Sequence, residues 1–367
     1  MHKYLILFLF IGTMQCPAQN LPQTGISGLY EVVQAVDDVA YAFQYWKQYG
    51  FTVVDSVRLT AAQAQALYGV PSALISYRLQ NGNIDSHGLL RLWKWEKATG
   101  PGVGYTEPET IGSRMAVMKT ADIMRIYDVY AFLRERKQPW LPTLPITDDL
   151  FGLNSGEKNF INRPVLVREN AVYGAYFNHV FFQRYGYEIP GYGTINPDAP
   201  LRTSEFTHHD FILPGKDLQA VQYVSEVLGF QSEGAPAVNG DWQKGPQRVF
   251  MMRDGYTHLY QGFVSPNNIC GKLKFFVPLA PKPDRSAFQQ PGQLGITLHS
   301  LYAPDIATIR SAAERYPGLS VSAITENEWQ EKSFLLKDSA GITWQIIQKS
   351  GTRHLPEKKL QFVFTQN

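Results

Sequence analysis

Hydrophobic and polar residues follow two different spacings along this chain, and each spacing predicts a different element. Within 88–95 the two types alternate, so that Leu90 and Trp93 fall on opposite faces of a predicted strand. Within 124–137 the apolar residues recur every three or four positions, which predicts an amphipathic helix. The pattern therefore predicts a chain that mixes short strands with helices.

One combination of these elements occurs four times. Each copy has a strand, a turn that contains Asp, a helix and further strands. The clearest copies begin at Glu31 and His209, and two weaker copies begin at Met115 and Ile296. Strands are predicted after the helices of the first, third and fourth copies: 51–57, 72–79 and 88–95, then 247–253 and 256–263, then 320–324, 333–338 and 343–348.

The repeat predicts an α+β protein of four βαβββ units, paired in chain order into two open, barrel-like domains. The N-terminal pair spans 25–191, a turn-rich linker spans 192–202, and the C-terminal pair spans 203–350. A tail follows at 351–367. One unit alone covers only half of its sheet, so we expect two units to pack together with their helices on the outside.

The first eighteen residues are typical of a signal peptide. Lys3 precedes an apolar run at 4–14, which is too short to cross a bilayer, and the small Ala18 suits a cleavage site. A lipid anchor on Cys16 is the less favoured alternative, because Gln15 stands where lipoprotein signals place a small residue. A buried N-terminal strand is the structural alternative. No later run is long and apolar enough to span a membrane, so we expect an exported protein, periplasmic or secreted.

Composition narrows the function only slightly. The chain of 367 residues carries 34 basic and 32 acidic groups, and this near balance argues against nucleic acid and favours a small-molecule partner. Removal of the signal peptide would leave Cys270 alone, without a partner for an internal disulfide. The sequence has no phosphate-binding glycine loop, nucleophile elbow or His-Glu-x-x-His motif, so no nucleotide cofactor is expected. It leaves the oligomeric state open.

The repeat resembles the vicinal oxygen chelate superfamily, which includes glyoxalases, extradiol dioxygenases and bleomycin-resistance proteins. The resemblance rests on Asp38-x6-Tyr45-Trp46 and Tyr49-Gly50-Phe51 in the first unit and on Leu228-Gly229-Phe230 in the third. It covers most of the mature chain. It implies paired barrels and a small-molecule site. In this superfamily such a site can hold a divalent metal such as Fe, Mn, Zn or Ni. The motifs are degenerate and do not choose a reaction.

Metal enzymes of this superfamily place their ligands on the first and last strands of paired units. Transferred position by position, the resemblance implies a metal site in the C-terminal pair made of His209, His299 and Gln345. One strand of the third unit adds either His258 or Tyr260. Imidazole suits these metals, but a neutral Gln supplies no charge to hold Fe(II). His208 leaves the register open, because adjacent strand residues face opposite sides.

The equivalent positions of the N-terminal pair imply a different site. They are Glu31, Ala116 and Arg91, and a permanently cationic arginine cannot be a ligand. We therefore expect this pair to be metal-free, with Glu31 and Arg91 forming a buried pair. Trp93 and Tyr260 are expected to line the pockets together with them.

Two functional hypotheses follow, and a third is possible. The first is a metal-dependent enzyme, a lyase, isomerase or dioxygenase-like protein, whose metal polarises a bidentate oxygen ligand. The second is a metal-free binder of the bleomycin-resistance type that performs no catalysis. The third is a scaffold protein, whose barrels would be filled.

We expect the exported protein to begin at Gln19. Cleavage after Ala18 removes the apolar run, so the intact mass should lack the first eighteen residues and carry no lipid. Mass spectrometry of the protein recovered from an expressing cell's exported fraction measures this directly. A full-length product, or one lipidated at Cys16, would contradict it.

Overall fold

The structure is a computed structural model that describes residues 21–149, 165–175, 177–189, 192–267 and 271–349. The predicted signal peptide with Cys16, the tail beyond 350, and Cys270 lie outside the described residues. Four units follow one another along the part that is described.

Each unit begins with a strand and contributes at least one helix and several more strands. The first unit contains β1 (Glu31–Ala35), α1 (Val39–Gln48), β2 (Phe51–Leu59), α2 (Ala61–Tyr68), β3 (Leu74–Asn81) and β4 (Leu89–Trp95). The second contains β5 (Arg114–Thr120), α3 (Ile123–Glu135), β6 (Leu141–Pro142), β7 (Ile146–Asp149), β8 (Leu166–Tyr173) and β9 (His179–Tyr185).

The third and fourth units follow the same plan with shorter helices. The third contains β10 (Thr203–Ile212), α4 (Tyr223–Glu226), β11 (Gln231–Ser232), β12 (Ala237–Gly240), α5 (Lys244–Val249), β13 (Thr257–Val264) and β14 (Lys272–Pro278). The fourth contains β15 (Gly295–Ala303), α6 (Ile306–Glu314), β16 (Ser320–Val321), β17 (Thr325–Glu326), β18 (Lys332–Lys337) and β19 (Thr343–Gln348).

The Asp-containing turns start three of the helices. Asp38, Asp122 and Asp305 each accept a hydrogen bond from a backbone N–H in the first turn of α1, α3 and α6. An aspartate at this position satisfies N–H groups that have no partner inside the helix. In the third unit the corresponding helix is reduced to a 3₁₀ turn at Gln219–Val221 and the single turn of α4.

The strands form two curled sheets, so the predicted α+β fold with two open barrels is confirmed. The first sheet has the order β16-β18-β19-β15-β1-β4-β3-β2, and the second has the order β11-β13-β14-β10-β5-β9-β8-β6. We call the spaces that these sheets curl around the first barrel and the second barrel. The helices α1, α3, α4 and α6 pack against the outer faces of the sheets.

The units do not pair in chain order, and that part of the prediction was wrong. The first unit shares its sheet with the fourth, where Glu31 lies opposite Ser300. The second shares its sheet with the third, where Ala116 lies opposite His209. Consecutive units are joined through packing instead: the helices of the first and second units meet between the two sheets, as the Tyr130 to Tyr45 hydrogen bond of 2.9 Å illustrates.

Two apolar clusters fill the layer between the outer faces of the sheets. One cluster packs α1 and α3 against the outer faces of both sheets, with Trp46 at its centre. The other joins α4 and α6 to the strands of the third and fourth units, and it includes Phe211 and Trp344. Side chains that point outward from either sheet therefore end in a dry core.

Two local predictions differ from the structure. Residues 247–253 were predicted as a strand, but α5 occupies Lys244–Val249, and its apolar end packs Val249 and Phe250 into the second barrel. The short helix α2 was missed, although Thr60 and Gln63 form the capping box that commonly starts a helix. Both helices lie over the inner faces of the sheets. None of the helices in the described ranges has the length and apolar character to cross a membrane.

Candidate functional site

Strand alternation assigns each predicted site residue to one face of a sheet. His209 and His299 point outward into the layer between the sheets, where their rings contact Phe211. Glu31, Arg91 and Gln345 point inward, into the first barrel. Trp93 lines the first barrel too, 4.5 Å from the ring of Tyr68. His258 and Tyr260 point into the second barrel.

The structure brings two of the predicted metal ligands, His209 and His299, together in the apolar layer between the sheets. The ring centroids of His209 and His299 are 4.2 Å apart, and Trp344 lies 5.5 Å from His299. None of their four ring nitrogens has a hydrogen-bond partner among the described residues. Burial lowers the pKa of both imidazoles far below the ordinary value, with Arg114 adding to the effect, so both are neutral.

Gln345 does not join this histidine pair. It is next to Trp344 on β19, and adjacent strand residues face opposite sides of a sheet. Its amide accepts a hydrogen bond from Arg91 at 2.6 Å and donates one to Ser333 at 3.2 Å, both inside the first barrel. The predicted ligand set is therefore divided between the two faces of the first sheet.

The first barrel holds a buried ionic cluster, and the predicted Glu31–Arg91 pair is at its centre. Arg91 contacts Glu31 through Nη2 and lies 3.5 Å from Glu328 through Nη1. Arg78 donates to Glu31 at 2.7 Å, and Ser300 donates to it at 2.6 Å. Burial alone would raise the pKa of Glu31, but Arg78 and Arg91 lower it to about 2.

The loop before β18 completes and covers this cluster. Glu328 accepts hydrogen bonds from Tyr68 and from Ser76, the latter at 2.9 Å. The indole of Trp329 lies against both guanidinium groups, 4.0 Å from Arg78 and 4.8 Å from Arg91. Because these side chains occupy the interior, the first barrel is packed around its own charges.

His258 belongs to a separate buried pair. Its Nδ1 lies 2.7 Å from a carboxylate oxygen of Glu109, whose other oxygen is 3.2 Å from Lys282. The ring packs edge to face against Phe250 and Phe276. His258 is thus held at the wall of the second barrel, away from His209 and His299.

The second barrel contains a cavity of about 370 Å³ that is open to solvent. Its apolar walls come mainly from β5, β8, β9, β14 and α5. Its polar groups come from β8, β9, β10, β13 and β14 and from the segment before β10. The apolar lining is Val117, Val167, Val180, Phe182, Ile189, Pro246, Val249, Phe250 and Phe276. The polar and charged lining includes Glu169, Arg184, Tyr187, Tyr192, His208, Asp210, Tyr260, Lys272 and Lys274.

Two carboxyl groups of this cavity have raised pKa values. Burial raises the pKa of Asp210 to about 7, with Lys274 opposing and Glu169 reinforcing the shift. Burial also raises the pKa of Glu169. Oδ1 of Asp210 is buried and has no hydrogen-bond partner among the described residues. Asp210 can therefore exchange a proton near neutral pH.

The basic groups of the cavity differ in how well they are paired. Lys272 contacts Glu233, and Arg184 donates to the carbonyl of Tyr192 at 2.8 Å. Lys274 forms no ion pair within the described part of the chain. Although burial alone would lower its pKa, the facing Tyr260, Tyr192 and Asp210 raise it, so the amine stays charged.

His208 is a polar but uncharged group in the wall of this cavity. Its Nδ1 contacts the hydroxyl of Tyr192 and lies 3.0 Å from that of Thr207. Burial and the neighbouring Lys274 and Lys272 lower its pKa well below the usual value, so the ring is neutral. It can offer a hydrogen bond to a ligand but no charge.

The side chains that face the two barrels do not fit a divalent metal. In the first barrel, Arg91 already neutralises Glu31. In the second, Lys274 stands directly beside Asp210 on the neighbouring strand. A bound cation would be repelled by either charge. No three His, Cys, Asp or Glu side chains in the described ranges are grouped to hold a metal ion.

Sequence reasoning missed Asp210, Lys274 and Glu169. The signal for the first was present, since His208 was recognised as the alternative register to His209, and Asp210 shares the face of His208. The strand 272–278 was not predicted, although its two lysines alternate with Leu273 and Phe275. Glu169 depends on strand β8, whose position follows from tertiary pairing alone.

Comparison with solved structures identifies the same fold elsewhere. A glyoxalase I mutant from Zea mays is 10% identical, with a TM-score of 0.50, and the match covers 87% of this chain and 93% of that one. A proposed dioxygenase from Bacillus subtilis is 12% identical, with a TM-score of 0.51, covering 90% and 87%. No family model matches the sequence, and no curated protein matches it. The vicinal oxygen chelate fold is shared, and at this identity the likeness extends to the fold alone.

We expect replacement of Arg91 by Met to destabilise the protein by about 3–5 kcal/mol, because Glu31 and Glu328 would remain buried without their cation. Urea unfolding measures the loss. Arg310→Met is the matched control, since Arg310 pairs with Glu314 on the surface of α6, and it should change stability by at most about 1 kcal/mol. Equal effects of the two variants would contradict the role of the cluster.

The histidine pair should make the protein sensitive to mild acid. Since burial lowers the pKa of His209 and His299, the unfolded chain binds more protons than the folded one below pH about 6.5. As the pH decreases below about 6.5, the free energy of unfolding should therefore decrease by about 1.4 kcal/mol per pH unit for each histidine.

The double variant His209→Leu/His299→Leu should unfold with a flatter acid limb than the parent, as measured by urea midpoints at several pH values. His87→Leu is the control, because His87 lies beside Glu205 outside the apolar layer. An acid limb as steep as that of the parent would show that the pair does not titrate on unfolding.

Proposed function

We propose that the protein binds a small organic molecule in the cavity of the second barrel, without a metal. The observation that carries this proposal is the cavity itself, whose volume falls within the range of small-molecule sites. Apolar walls with a few fixed polar groups are the usual composition of such sites. The shared fold is consistent with the proposal but does not supply it.

The walls favour a ligand with an aromatic or branched apolar body. Phe182, Phe250 and Phe276 line the cavity, and the rings of Phe250 and Phe276 pack together with their centroids 4.7 Å apart. The polar end of such a ligand would meet His208, Asp210 and the charged amine of Lys274. A molecule of about ten to fourteen non-hydrogen atoms would suit a cavity of this size.

Metal-free binding is the form of the hypothesis that the donor groups support. Two imidazoles in a dry core and a carboxylate beside a lysine do not make a ligand set for Fe, Mn, Zn or Ni. We also propose export of the mature chain, on the strength of the apolar run at 4–14.

An acid–base enzyme is the second candidate function. A carboxyl group with a pKa of about 7 can both accept and donate a proton at neutral pH, which is what such catalysis requires of Asp210. A binder returns its ligand unchanged, whereas an enzyme does not.

We expect 4-phenylbutan-1-ol and 4-phenylbutanoate to bind the purified protein in excess EDTA, as measured by calorimetry. Val180→Phe narrows the cavity and should weaken both by at least about tenfold. The control is Val129→Phe, at an exposed position on α3, and should leave both affinities unchanged.

Two results would contradict the proposal. One is failure of both probes to bind. The other is binding that EDTA abolishes and that added Fe, Mn, Zn or Ni restores, together with a stoichiometric transition metal in elemental analysis of the purified protein.

A further inference from the structure

We propose that the ligand of the second barrel carries a single carboxylate, and that its binding takes up one proton on Asp210. The proposal rests on the proposed function and adds to it the charge of the ligand and the protonation state of the site. It stands on the arrangement of the charged groups around the cavity.

The first step concerns the positive charge that is available to a ligand. Lys272 is already paired with Glu233. Arg184 donates to a backbone carbonyl and lies 3.6 Å from Glu188. Lys274 is the cavity cation without an ion pair in the described ranges. An ammonium group that has no ion-pair partner in the described ranges and lies in a largely apolar cavity favours a monoanion over a dianion or a cation.

The second step concerns the place of Asp210 relative to this cation. Asp210 and Lys274 are direct partners across the parallel strands β10 and β14, and both side chains line the cavity. An anion that binds to Lys274 therefore comes close to the Asp210 carboxyl. The ligand carboxylate and the Asp210 carboxylate would repel each other if both were ionised. One of the two must therefore carry a proton.

The third step identifies which group takes the proton. The titratable and charged groups around Asp210 are His208 on its own strand, Lys272 and Lys274 on β14, Glu169 and Tyr173 on β8, Arg184 on β9, and Tyr187, Tyr192 and Tyr260. His208 is kept neutral by burial and by the two lysines, and burial raises the pKa of Tyr173, Tyr187 and Tyr260. Asp210 and Glu169 are the carboxyl groups of the cavity whose pKa values are raised, and that of Asp210 is about 7.

Asp210 is favoured over Glu169 by geometry. It is the strand partner of Lys274, and its buried Oδ1 has no hydrogen-bond partner among the described residues. A protonated Asp210 would donate a hydrogen bond to the ligand carboxylate while Lys274 supplies the opposite charge. The proton moves from solvent to Asp210, and no covalent bond to the ligand is made or broken.

The sign of the pH effect follows. The pKa of Asp210 is about 7 in the free protein, and a bound carboxylate raises it further. Above pH about 7, binding must therefore take up a proton, and affinity for a carboxylate falls by up to about tenfold per pH unit. A neutral ligand carries no such requirement.

The test is calorimetric titration of 4-phenylbutanoate near pH 8 in buffers that differ in ionisation enthalpy. We expect an uptake close to one proton with the carboxylate and none with 4-phenylbutan-1-ol. Asp210→Asn keeps a hydrogen-bond donor but cannot titrate, so it should bind 4-phenylbutanoate with no proton uptake and with an affinity that no longer falls as the pH rises. Glu169→Gln should still take up a proton with 4-phenylbutanoate, because Glu169 only reinforces the raised pKa of Asp210 and does not itself take up the proton.

The outcomes separate the two proposals. If neither probe binds to the parent protein, the proposed function fails and this inference fails with it. If the probes bind but the carboxylate takes up no proton, or Asp210→Asn takes up as many protons as the parent, only this inference is overturned. If proton uptake were lost only in Glu169→Gln, the proton would be assigned to Glu169, and this inference would also be overturned.

Discussion

The antiparallel pairing of first strands from different units is the constraint on which the rest of this structure depends. Where β1 meets β15 and β5 meets β10, two half-sheets become one curled sheet. The outer face of each sheet is then committed to the helices and the apolar layer, and the inner face to a barrel. Nearly all side chains on these strands are buried, so the chemistry of each depends on which face of the sheet it occupies. Alternation along the strand sets that face except where the register shifts, as between Phe206 and His208.

The same plan gives two barrels with different contents. In the first, Glu31, Arg91 and Glu328 hold one another and leave the interior occupied. In the second, Asp210 and Lys274 stand side by side without closing the space before them. Repetition of the backbone therefore does not bring repetition of the side chains inside the barrels, because the inward positions carry different residues while the strand pairing is the same.

The sequence alone predicted the four units, the Asp-initiated helices and the buried Glu31–Arg91 pair, since these depend on local spacing and on the chemistry of single residues. It failed on the partners of the units, because strand pairing between distant segments leaves no local mark. It placed His209 and His299 inside a barrel, whereas in the structure these residues point outward and the neighbouring His208 and Ser300 face the barrels. Lys274 and Glu169 could not be found without knowing which strands are neighbours.

The pairing of the first unit with the fourth also sets an order of events during synthesis. Glu31 and Ser300 are 269 residues apart. One edge of β1 can pair with β4 early, but the edge that pairs with β15 stays unpaired until most of the chain has been made. The pairing of β5 with β10 closes a much shorter loop and is available earlier. The hollow barrel can thus be complete while the filled one still waits for its second half, which leaves the N-terminal unit as an open sheet edge until the last strands emerge.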